Sequence, residues 1–478
     1  MKYISPKTKI STKADKLRAC LIFVITFALL VAAFVVKAVF LEEFEGNIAV
    51  LIAVISLGYA IILAALFIYV YNTKRKIVYR TKILGAICFC VALTGIISIF
   101  ASHISVVIVP AALAAFLVST FAESRDAFAV NLIANILIAF TLITEYGVSE
   151  IRVVWVVLFG ILCGSVVSYS ISRNARRFSF IVKGLIIGIT TGIVFLGALV
   201  LKDAVAGSFV WRDTGIDALF IGGAIVAQVI IAFVGQPIIE HMFNLTTNAR
   251  LVELTDHNHP LVKRIIKESP GTFNHCLNVA NFAEICATAI GENPYLARAC
   301  AYYHDVGKLV NPMYFKENQS DYNPHDELMP EVSADIIRNH TNEGQKLCDK
   351  YKIPKEVSAI TSQHHGTLPI AVFYNKAKNF TDNEVDIASY SYHGPLPESK
   401  IAAIIMICDS AEAAVRALDN PDGKMVDNTL RKIISERITG GQFDDCDITM
   451  RDLDTIRIAI ADAYGGIFHQ RVKYPDGK

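Results

Sequence analysis

The sequence lacks cysteines at the spacing of a structural zinc site. Its ten cysteines are scattered along 478 residues, and only Cys88 and Cys90 lie close together, inside an apolar run. This spacing argues against a zinc ribbon. Free thiols in a reducing compartment fit the pattern better than disulfides do.

Ionisable residues are scarce in the long apolar runs of the first half. Transporters place acidic residues or acid–base pairs within their membrane spans. Here Lys37 and Lys183 lie near the ends of apolar runs, where long basic side chains reach the membrane surface. Asn131, Asn135 and Gln228 are interpreted as contacts between helices. The scarcity of intramembrane charge therefore argues against transport.

The second half lacks a basic surplus. The chain has 45 Lys and Arg and 44 Asp and Glu. Residues 1–240 hold 20 of the basic and 12 of the acidic residues, whereas residues 241–478 hold 25 basic and 32 acidic residues. Binding to a nucleic-acid backbone depends on clustered Lys and Arg. The acidic balance therefore argues against a nucleic-acid polymer as the partner of this half.

The first half is rich in apolar runs long enough to cross a bilayer. Basic residues precede the first run and lie in loops at 72–82 and 173–177, whereas "EEFEGN" after the first run is acidic. The charges predict a cytoplasmic N-terminus, and an even number of crossings predicts a cytoplasmic C-terminus in a multi-pass plasma-membrane protein surrounded by lipid. Eight runs of about 20 residues are found, at 19–41, 48–71, 83–101, 104–122, 126–144, 151–171, 178–201 and 216–239.

Histidines are concentrated in the second half, mostly in stretches whose apolar residues recur at helical spacing. Imidazole and carboxylate suit a divalent first-row metal such as Fe, Mn or Zn, and a carboxylate can bridge two ions. Five histidines and two aspartates are too many for one tetrahedral site and fit two metals. These residues are His275, His304, Asp305, His340, His364, His365 and Asp409.

Several stretches of the second half resemble a known family. They include "SPGTFNHCLNVANFAE", "ARACAYYHDVGKLVNPMYFKENQ", "HHGTLPIAVFYNKA" and "GGIFHQRVKYP". The sequence resembles the HD superfamily of metal-dependent phosphohydrolases, and within it the seven-transmembrane HD receptors, the PgpH-type cyclic di-AMP phosphodiesterases. The resemblance implies an all-α fold in which a multi-span membrane domain precedes a helical HD phosphohydrolase domain. The expected boundaries are a cytoplasmic tail at 1–18, about eight transmembrane helices at 19–239, a linker helix at 240–270 and the HD domain at 271–478.

The resemblance also implies residue roles. One metal would be held by His275, His304, Asp305 and Asp409, and the other by His340, His364 and His365, with Asp305 bridging. The two divalent ions are expected to be Fe or Mn. Asp305 and Lys308 are the expected catalytic residues, with Lys308 contacting a substrate phosphate. The implied reaction is hydrolysis of cyclic di-AMP to linear pApA. His325, His393 and Arg416 are weaker candidates for substrate contact, with a structural role equally open.

Two alternative functions stay open at this point. A cyclic di-GMP enzyme of the HD-GYP type would carry Gly-Tyr-Pro soon after the histidine doublet, whereas this chain reads "HHGTLPIAVFY". No residue reads adenine by itself, so another cyclic dinucleotide remains an alternative. A non-catalytic nucleotide-binding receptor is the second alternative, although every expected ligand is present.

The chain departs from the resembled family in one respect. Members of that family usually carry a large extracytoplasmic domain after the first span, and here only "LEEFEGN" occupies that position. A homo-oligomer is left open.

Overall fold

The computed structural model describes residues 13–41, 47–73, 81–147, 151–171, 176–380 and 383–467. These residues are largely helical and contain no β-strand, only an isolated bridge between Pro369 and Ser391. The prediction of an all-α protein is confirmed. The chain divides into two compact units between residues 249 and 250. The predicted N-terminal charges at 1–12 and most of the charged loops lie outside the described residues.

The first unit is a bundle of apolar helices. All of its described helices except the short α4 are long and apolar enough to cross a membrane, which makes seven such helices in this part of the chain. The helices are α1 (Lys13–Phe40), α2 (Ile48–Thr73), α3 (Thr81–Ile104), α4 (Leu113–Val118), α5 (Ser124–Tyr146), α6 (Ile151–Ile171), α7 (Arg177–Val205) and α8 (Trp211–Met242).

The predicted span at 104–122 is wrong as a continuous helix. A 3-10 turn at Val106–Ile108 is followed by a break and then by α4. Pro110 explains the break, because a proline ring disfavours the helical conformation in the residue before it. Val109 accordingly has a non-helical backbone, with φ −59° and ψ 124°.

Side-chain amides satisfy the backbone groups that this break leaves free. The Asn135 amide donates to the carbonyl oxygen of Ala111 at 2.9 Å, and the backbone N–H of Ala112 donates to Gln228 Oε1 at 3.1 Å. Unpaired backbone groups are costly away from water, so non-helical backbone at membrane depth must be satisfied by protein. Asn135 and Gln228 are thus contacts between elements, as the sequence suggested.

The broken segment nevertheless runs the length of the bundle. Lys37 Nζ lies 2.7 Å from Glu145 Oε2 and donates to Ser102 Oγ at 2.7 Å, so α1, α3 and α5 end close together. At the opposite end, the Tyr69 hydroxyl near the end of α2 donates to Asp126 in the first turn of α5, at 3.2 Å. The chain between α3 and α5 must join these two ends. The described part therefore passes along the bundle eight times, seven times as a long helix.

Lys37 differs from its sequence interpretation. It was expected to extend toward the membrane surface, but its side chain is fully buried in the ion pair with Glu145. A long basic side chain buried in this way is stabilised by its partner, because an unpaired buried charge is costly.

The second unit is also helical and is built around α17 (Lys400–Arg416), whose residues 401–408 are all buried. A helix that is apolar on every side belongs in a core. In place of one linker helix at 240–270, the chain forms the end of α8 and then two short helices, α9 (Asn248–Leu254) and α10 (Pro260–Glu268), with breaks between them. The helices are α9 (Asn248–Leu254), α10 (Pro260–Glu268), α11 (Pro270–Ala289), α12 (Pro294–Tyr303), α13 (Pro330–Lys350), α14 (Lys355–Ser358), α15 (Ile360–Gln363), α16 (Ala371–Phe380), α17 (Lys400–Arg416), α18 (Gly423–Thr439) and α19 (Met450–Ile467).

Candidate metal centre

The seven predicted ligand residues come from five parts of the second unit and meet in one place. His275 lies in α11, and Asp409 follows the buried stretch of α17. The remaining five lie at the end of α12 (His304 and Asp305), in α13 (His340) and just after α15 (His364 and His365).

The Asp305 carboxylate lies at the centre of this group. Its Oδ2 is 3.6 Å from His275 Nε2 and 3.2 Å from His304 Nε2. Its Oδ1 is 3.3 Å from His340 Nε2 and 3.6 Å from His364 Nε2. The four imidazoles therefore divide into two pairs, one pair on each oxygen of a single carboxylate.

Asp409 and His365 complete the two sets. Asp409 Oδ1 lies 3.0 Å from His275 Nε2, and its Oδ2 lies 3.8 Å from His365 Nδ1. Within each of the two sets, all donor atoms lie within 4.8 Å of one another, and Asp305 belongs to both sets. The sets are His275, His304, Asp305 and Asp409, and Asp305, His340, His364 and His365. These are the groupings that the resemblance implied, and metal ligation by them stays a prediction.

Hydrogen bonds orient the histidine rings. In three of the rings Nδ1 faces a backbone carbonyl oxygen, which can only accept, so Nδ1 must carry the hydrogen. The Nε2 atom of each ring is then directed at the centre of the cluster, as in metal-ligating histidines. The contacts run from His304 to Ala301 at 2.7 Å, from His340 to Ile337 at 2.5 Å and from His364 to Ile360 at 2.9 Å.

Glu412 orients the fourth ring and was missed by the sequence analysis. Its Oε2 lies 2.7 Å from His275 Nδ1, and its side chain is buried. Glu412 is three residues after Asp409 in α17, and positions three apart share a helix face. That spacing was the available signal. Arg416 pairs with the other oxygen of Glu412 at 3.3 Å.

The donor set fits two divalent ions. Among the described residues, His304 Nε2 and Asp305 Oδ1 are buried without a hydrogen-bond partner. Buried polar atoms are normally paired, and such exceptions need an explanation. Imidazole nitrogens and carboxylate oxygens are suitable ligands for Fe, Mn or Zn. A metal bound to each half would satisfy both atoms.

The electrostatics of the cluster divide its ligands by protonation state. Burial lowers the pKa of His364, and burial together with the neighbouring His364 lowers the pKa of His365 further, so both rings are neutral. Burial raises the pKa of Asp305, but Lys308 and His304 outweigh it and hold that pKa well below its usual range. The ionised Asp305 carboxylate and the neutral rings of His364 and His365 are therefore already in the protonation states that metal binding requires.

His304 and His275 are the cationic rings of the cluster. Burial lowers the pKa of His304, but Asp305 outweighs burial and raises that pKa well above its usual value. His275 behaves in the same way. Burial lowers its pKa, but hydrogen bonds to Asp409 and Glu412 outweigh burial and raise the pKa to about 10. The proton shared with these carboxylates occupies the position that a metal would take at Nε2. A metal must therefore displace a proton on binding, which is general for such sites.

Lys308 lies against the cluster, and its amine is protonated. Its Nζ is 2.8 Å from Asp305 Oδ2 and 2.8 Å from Glu317 Oε1, and it lies 5.0 Å from the ring centroid of Phe315. Burial lowers the pKa of Lys308, but Asp305 and Glu317 raise it well above its usual value. Contact between Lys308 and a substrate phosphate stays a prediction.

The three weaker candidates lie outside both ligand sets. His325 is buried and its Nε2 lies 2.9 Å from the carbonyl oxygen of Tyr314. His393 Nε2 lies 2.8 Å from Arg338 Nη1. Arg416 has 57% of its side chain exposed and touches the site only through Glu412. Their roles in substrate contact stay predictions.

Two further residues shape the site. The ring of Tyr392 stacks on His365, with centroids 4.2 Å apart and planes 24° apart. Gly307 brings the turn after Asp305 onto α13, because a Cβ at Gly307 would lie 1.8 Å from the backbone oxygen of His340. Only glycine allows two backbones to approach so closely. This contact fixes the separation between Asp305 and His340.

Comparisons with known families agree with both units. Residues 48–247 match the family described as "7TM receptor with intracellular HD hydrolase", and residues 272–414 match the HD domain. The two matches lie in the order that this family's description implies, a membrane part followed by a hydrolase part. The chain is accordingly a multi-pass membrane protein. Within 48–247 the chain passes along the bundle seven times, once through the segment broken at Pro110.

Two relatives of named function are similar to much of the chain. The cyclic-di-AMP phosphodiesterase PgpH of Bacillus subtilis (strain 168) is 38% identical over 314 residues, which are 64% of this chain and 43% of that protein. The enzyme of the same name from Listeria monocytogenes serotype 1/2a (strain 10403S) is 39% identical over 327 residues, 68% of this chain and 45% of that protein. The chain thus spans less than half the length of these relatives.

A solved structure is also similar to part of the chain. The crystal structure of the L. monocytogenes PgpH HD domain in complex with cyclic-di-AMP has 45% sequence identity. It matches 45% of this chain and all of that chain, with a TM-score of 0.43.

Proposed function

We propose that this protein is a membrane-anchored, metal-dependent phosphodiesterase that hydrolyses cyclic di-AMP to linear pApA. Two relatives that are 38% and 39% identical carry the name cyclic-di-AMP phosphodiesterase. The HD domain, the proposed catalytic part, begins after the last long apolar helix. Hydrolysis would end the signal that this second messenger carries.

The observation that carries the proposal is the shared carboxylate. Asp305 offers Oδ2 to one pair of histidines and Oδ1 to the other. Enzymes with two metals a few ångströms apart stabilise both the attacking and the leaving oxygen of a displacement at phosphorus. One bridging carboxylate is the simplest means of holding two ions at such a separation.

The residues then have distinct roles in the proposed reaction. Two divalent ions, iron or manganese, would supply a hydroxide nucleophile at neutral pH and neutralise charge on the phosphate. Asp305 and Asp409 provide the negative charge that holds such ions, and Glu412 fixes the orientation of the His275 ring. Lys308 stabilises charge on a non-bridging phosphate oxygen, since a fixed cation stabilises the developing charge of a transition state.

The HD domain is proposed to face the cytoplasm. The matched family is described as having an intracellular hydrolase, and eight passages leave the two ends of the bundle's chain on the same side. Basic residues before α1 would hold that side inside the plasma membrane. Exposed apolar side chains of α1 and α2 would face lipid, and a homo-oligomer stays a prediction.

The test is a direct assay of the full chain, purified in detergent and supplied with Mn²⁺ or Fe²⁺. Cyclic di-AMP and cyclic di-GMP are incubated separately, and the products are identified by mass spectrometry. Asp305→Ala should abolish turnover because both metals lose a ligand. Asp454→Ala is the matched control, since Asp454 is an exposed partner of Arg457 in α19.

The outcomes separate the competing functions. Linear pApA formed by the wild type and by the Asp454 variant, but not by the Asp305 variant, supports the proposal. Faster turnover of cyclic di-GMP would favour the other nucleotide. Tight binding of cyclic di-AMP without turnover, in protein that contains two metals, would favour a non-catalytic receptor.

A further inference from the structure

The metal cluster is open on one side only. Of its seven side chains, five are at most 5% exposed. The other two are Asp409, at 14%, and His365, at 21%. A substrate must therefore reach the cluster past Asp409 and His365, and the residues that border these two are the ones a bound substrate would meet.

The end of α18 borders this opening. Arg437 Nη2 donates to Ser410 Oγ at 3.0 Å, and Ser410 directly follows Asp409. The turn after α18 is tied to the segment after His365, because Gln442 accepts from the backbone N–H of Thr367 at 3.1 Å. Gln442 also donates to Thr367 Oγ1 at 2.9 Å. Arg437 is thus held beside the opening by contacts on both of its sides.

Arg437 is a mostly buried cation whose positive charge is poorly balanced by neighbouring carboxylates. Its side chain is 15% exposed, and its Nε is among the buried described atoms that have no hydrogen-bond partner. The carboxylate paired with it among the described residues is that of Glu436, 3.9 Å away and 54% exposed. Burial lowers the pKa of Arg437, with Glu436 and Asp409 opposing that shift. Lys308, by contrast, has two carboxylates at 2.8 Å.

A buried guanidinium with spare donors is suited to an anion. Arginine presents a planar fork of N–H groups that matches the oxygens of a phosphate. A cyclic dinucleotide carries two phosphodiesters, and only one can lie over the metals during cleavage. The other phosphodiester is an anion that needs a cation some distance from the cluster.

We propose that Arg437 forms a second phosphate subsite, which binds the phosphodiester of the cyclic dinucleotide that is not being cleaved. This inference rests on the proposed function and adds a basis for selecting substrates with two phosphates. Lys308, which is paired with Asp305, and the metals act on the reacting phosphate. Arg437 anchors the second phosphate on the open side.

The test compares substrates that have two phosphodiesters with substrates that have one. Arg437→Gln is assayed with cyclic di-AMP and with bis-para-nitrophenyl phosphate. For cyclic di-AMP we expect KM to rise about 10- to 100-fold with little change in kcat, the range for losing a hydrogen bond to a charged group. For the single diester we expect no change. Arg437→Lys should restore part of the affinity.

Matched controls distinguish a subsite from a structural role. Arg431 lies on the same helix, is 59% exposed and pairs with Asp427, so Arg431→Gln should leave both substrates unaffected. Thermal unfolding of the Arg437 variant in detergent reports any loss of fold. An equal loss on both substrates, or no loss on either, overturns the subsite.

The result is separable from a failure of the proposed function. If the wild-type protein does not hydrolyse cyclic di-AMP, the proposed function fails, and equilibrium binding of cyclic di-AMP then decides the subsite. Affinity that is weaker in Arg437→Gln than in the wild type and Arg431→Gln supports it. Equal affinity in all three proteins overturns it.

Discussion

Replacing Gly307 with alanine should disrupt the metal centre without touching a ligand. Gly307 lies in the turn after Asp305, against the backbone of α13 that carries His340. The change adds a single methyl group. Its effect should be large because the neighbouring atoms are backbone, which has little freedom to move aside.

The magnitude follows from three distances. An added Cβ would lie 1.8 Å from the His340 oxygen and 2.5 Å from the Gly344 nitrogen, whereas ordinary contact begins at 3.4 Å. The turn and α13 must therefore separate by about 1.6 Å, the difference between 3.4 and 1.8 Å. Overpacking of this kind costs about 1–3 kcal/mol of unfolding free energy. Metal–ligand distances tolerate only about 0.2 Å, so Asp305 and His340 can no longer share an ion.

The measurements are metal content, turnover and thermal unfolding of the full chain in detergent. We expect less than two metal ions per chain and turnover lower by about 100-fold, the effect of a 1 Å misplacement. The unfolding temperature should fall by about 2–4 °C for each kcal/mol lost. Gly423→Ala is the control, because a Cβ at Gly423, the first residue of α18, meets nothing within 4 Å.

One result would refute this reasoning. If Gly307→Ala bound two metals and turned over cyclic di-AMP at the wild-type rate, the turn would not set the distance between Asp305 and α13. Equal losses in the Gly307 and Gly423 variants would instead indicate a general intolerance of alanine.

Three further predictions concern other parts of the molecule. Asp305→Asn should lower the metal content of both sites, measured by elemental analysis; loss of only one ion would contradict a shared ligand. Glu412→Gln should weaken metal binding by about 10- to 100-fold in a chelator competition, because a neutral amide oxygen accepts the His275 Nδ1 hydrogen more weakly than a carboxylate does; unchanged affinity would contradict that role. Lys37→Met should destabilise the membrane unit by about 3–5 kcal/mol, since it leaves the Glu145 carboxylate buried without this partner. Adding Glu145→Gln should recover much of the loss in thermal unfolding, and no recovery would show that the pair does not act together.

Much of the site could be predicted because its residue types are unusual in their setting. An aspartate beside a histidine in an apolar helical stretch needs a partner, which made His304 and Asp305 conspicuous. Residue type and order along the chain were enough to propose seven ligands for two metals, and the family resemblance implied how these ligands divide into two sets. The division of histidines between Oδ1 and Oδ2 of Asp305 depends on helix packing, which no local pattern contains.

Glu412 illustrates what the sequence conceals. A glutamate near the end of a helix is usually solvent-exposed, and its partner His275 is 137 residues away. Its role becomes visible only when α11 packs against α17. Arg437 was missed for the same reason, because its burial follows from contacts with Ser410 and with the turn that contains Gln442.

Two predictions for the membrane unit were wrong, one for a reason visible in the local sequence and one for a reason that depends on distant residues. The break in the span at 104–122 could have been predicted from Pro110, since the rule for the residue before proline is local. The burial of Lys37 could not, because it depends on Glu145, which lies more than a hundred residues further along the chain.

The break at Pro110 also constrains the order in which the protein can be made. The Ala112 amide bonds to Gln228, which is 116 residues further on. A ribosome adding about 5–20 residues per second needs about 6–23 s to reach that glutamine. During this interval the Ala112 amide is either unpaired or hydrogen-bonded within the insertion machinery. The segment broken at Pro110 can therefore reach its final packing only after α8 has been synthesised.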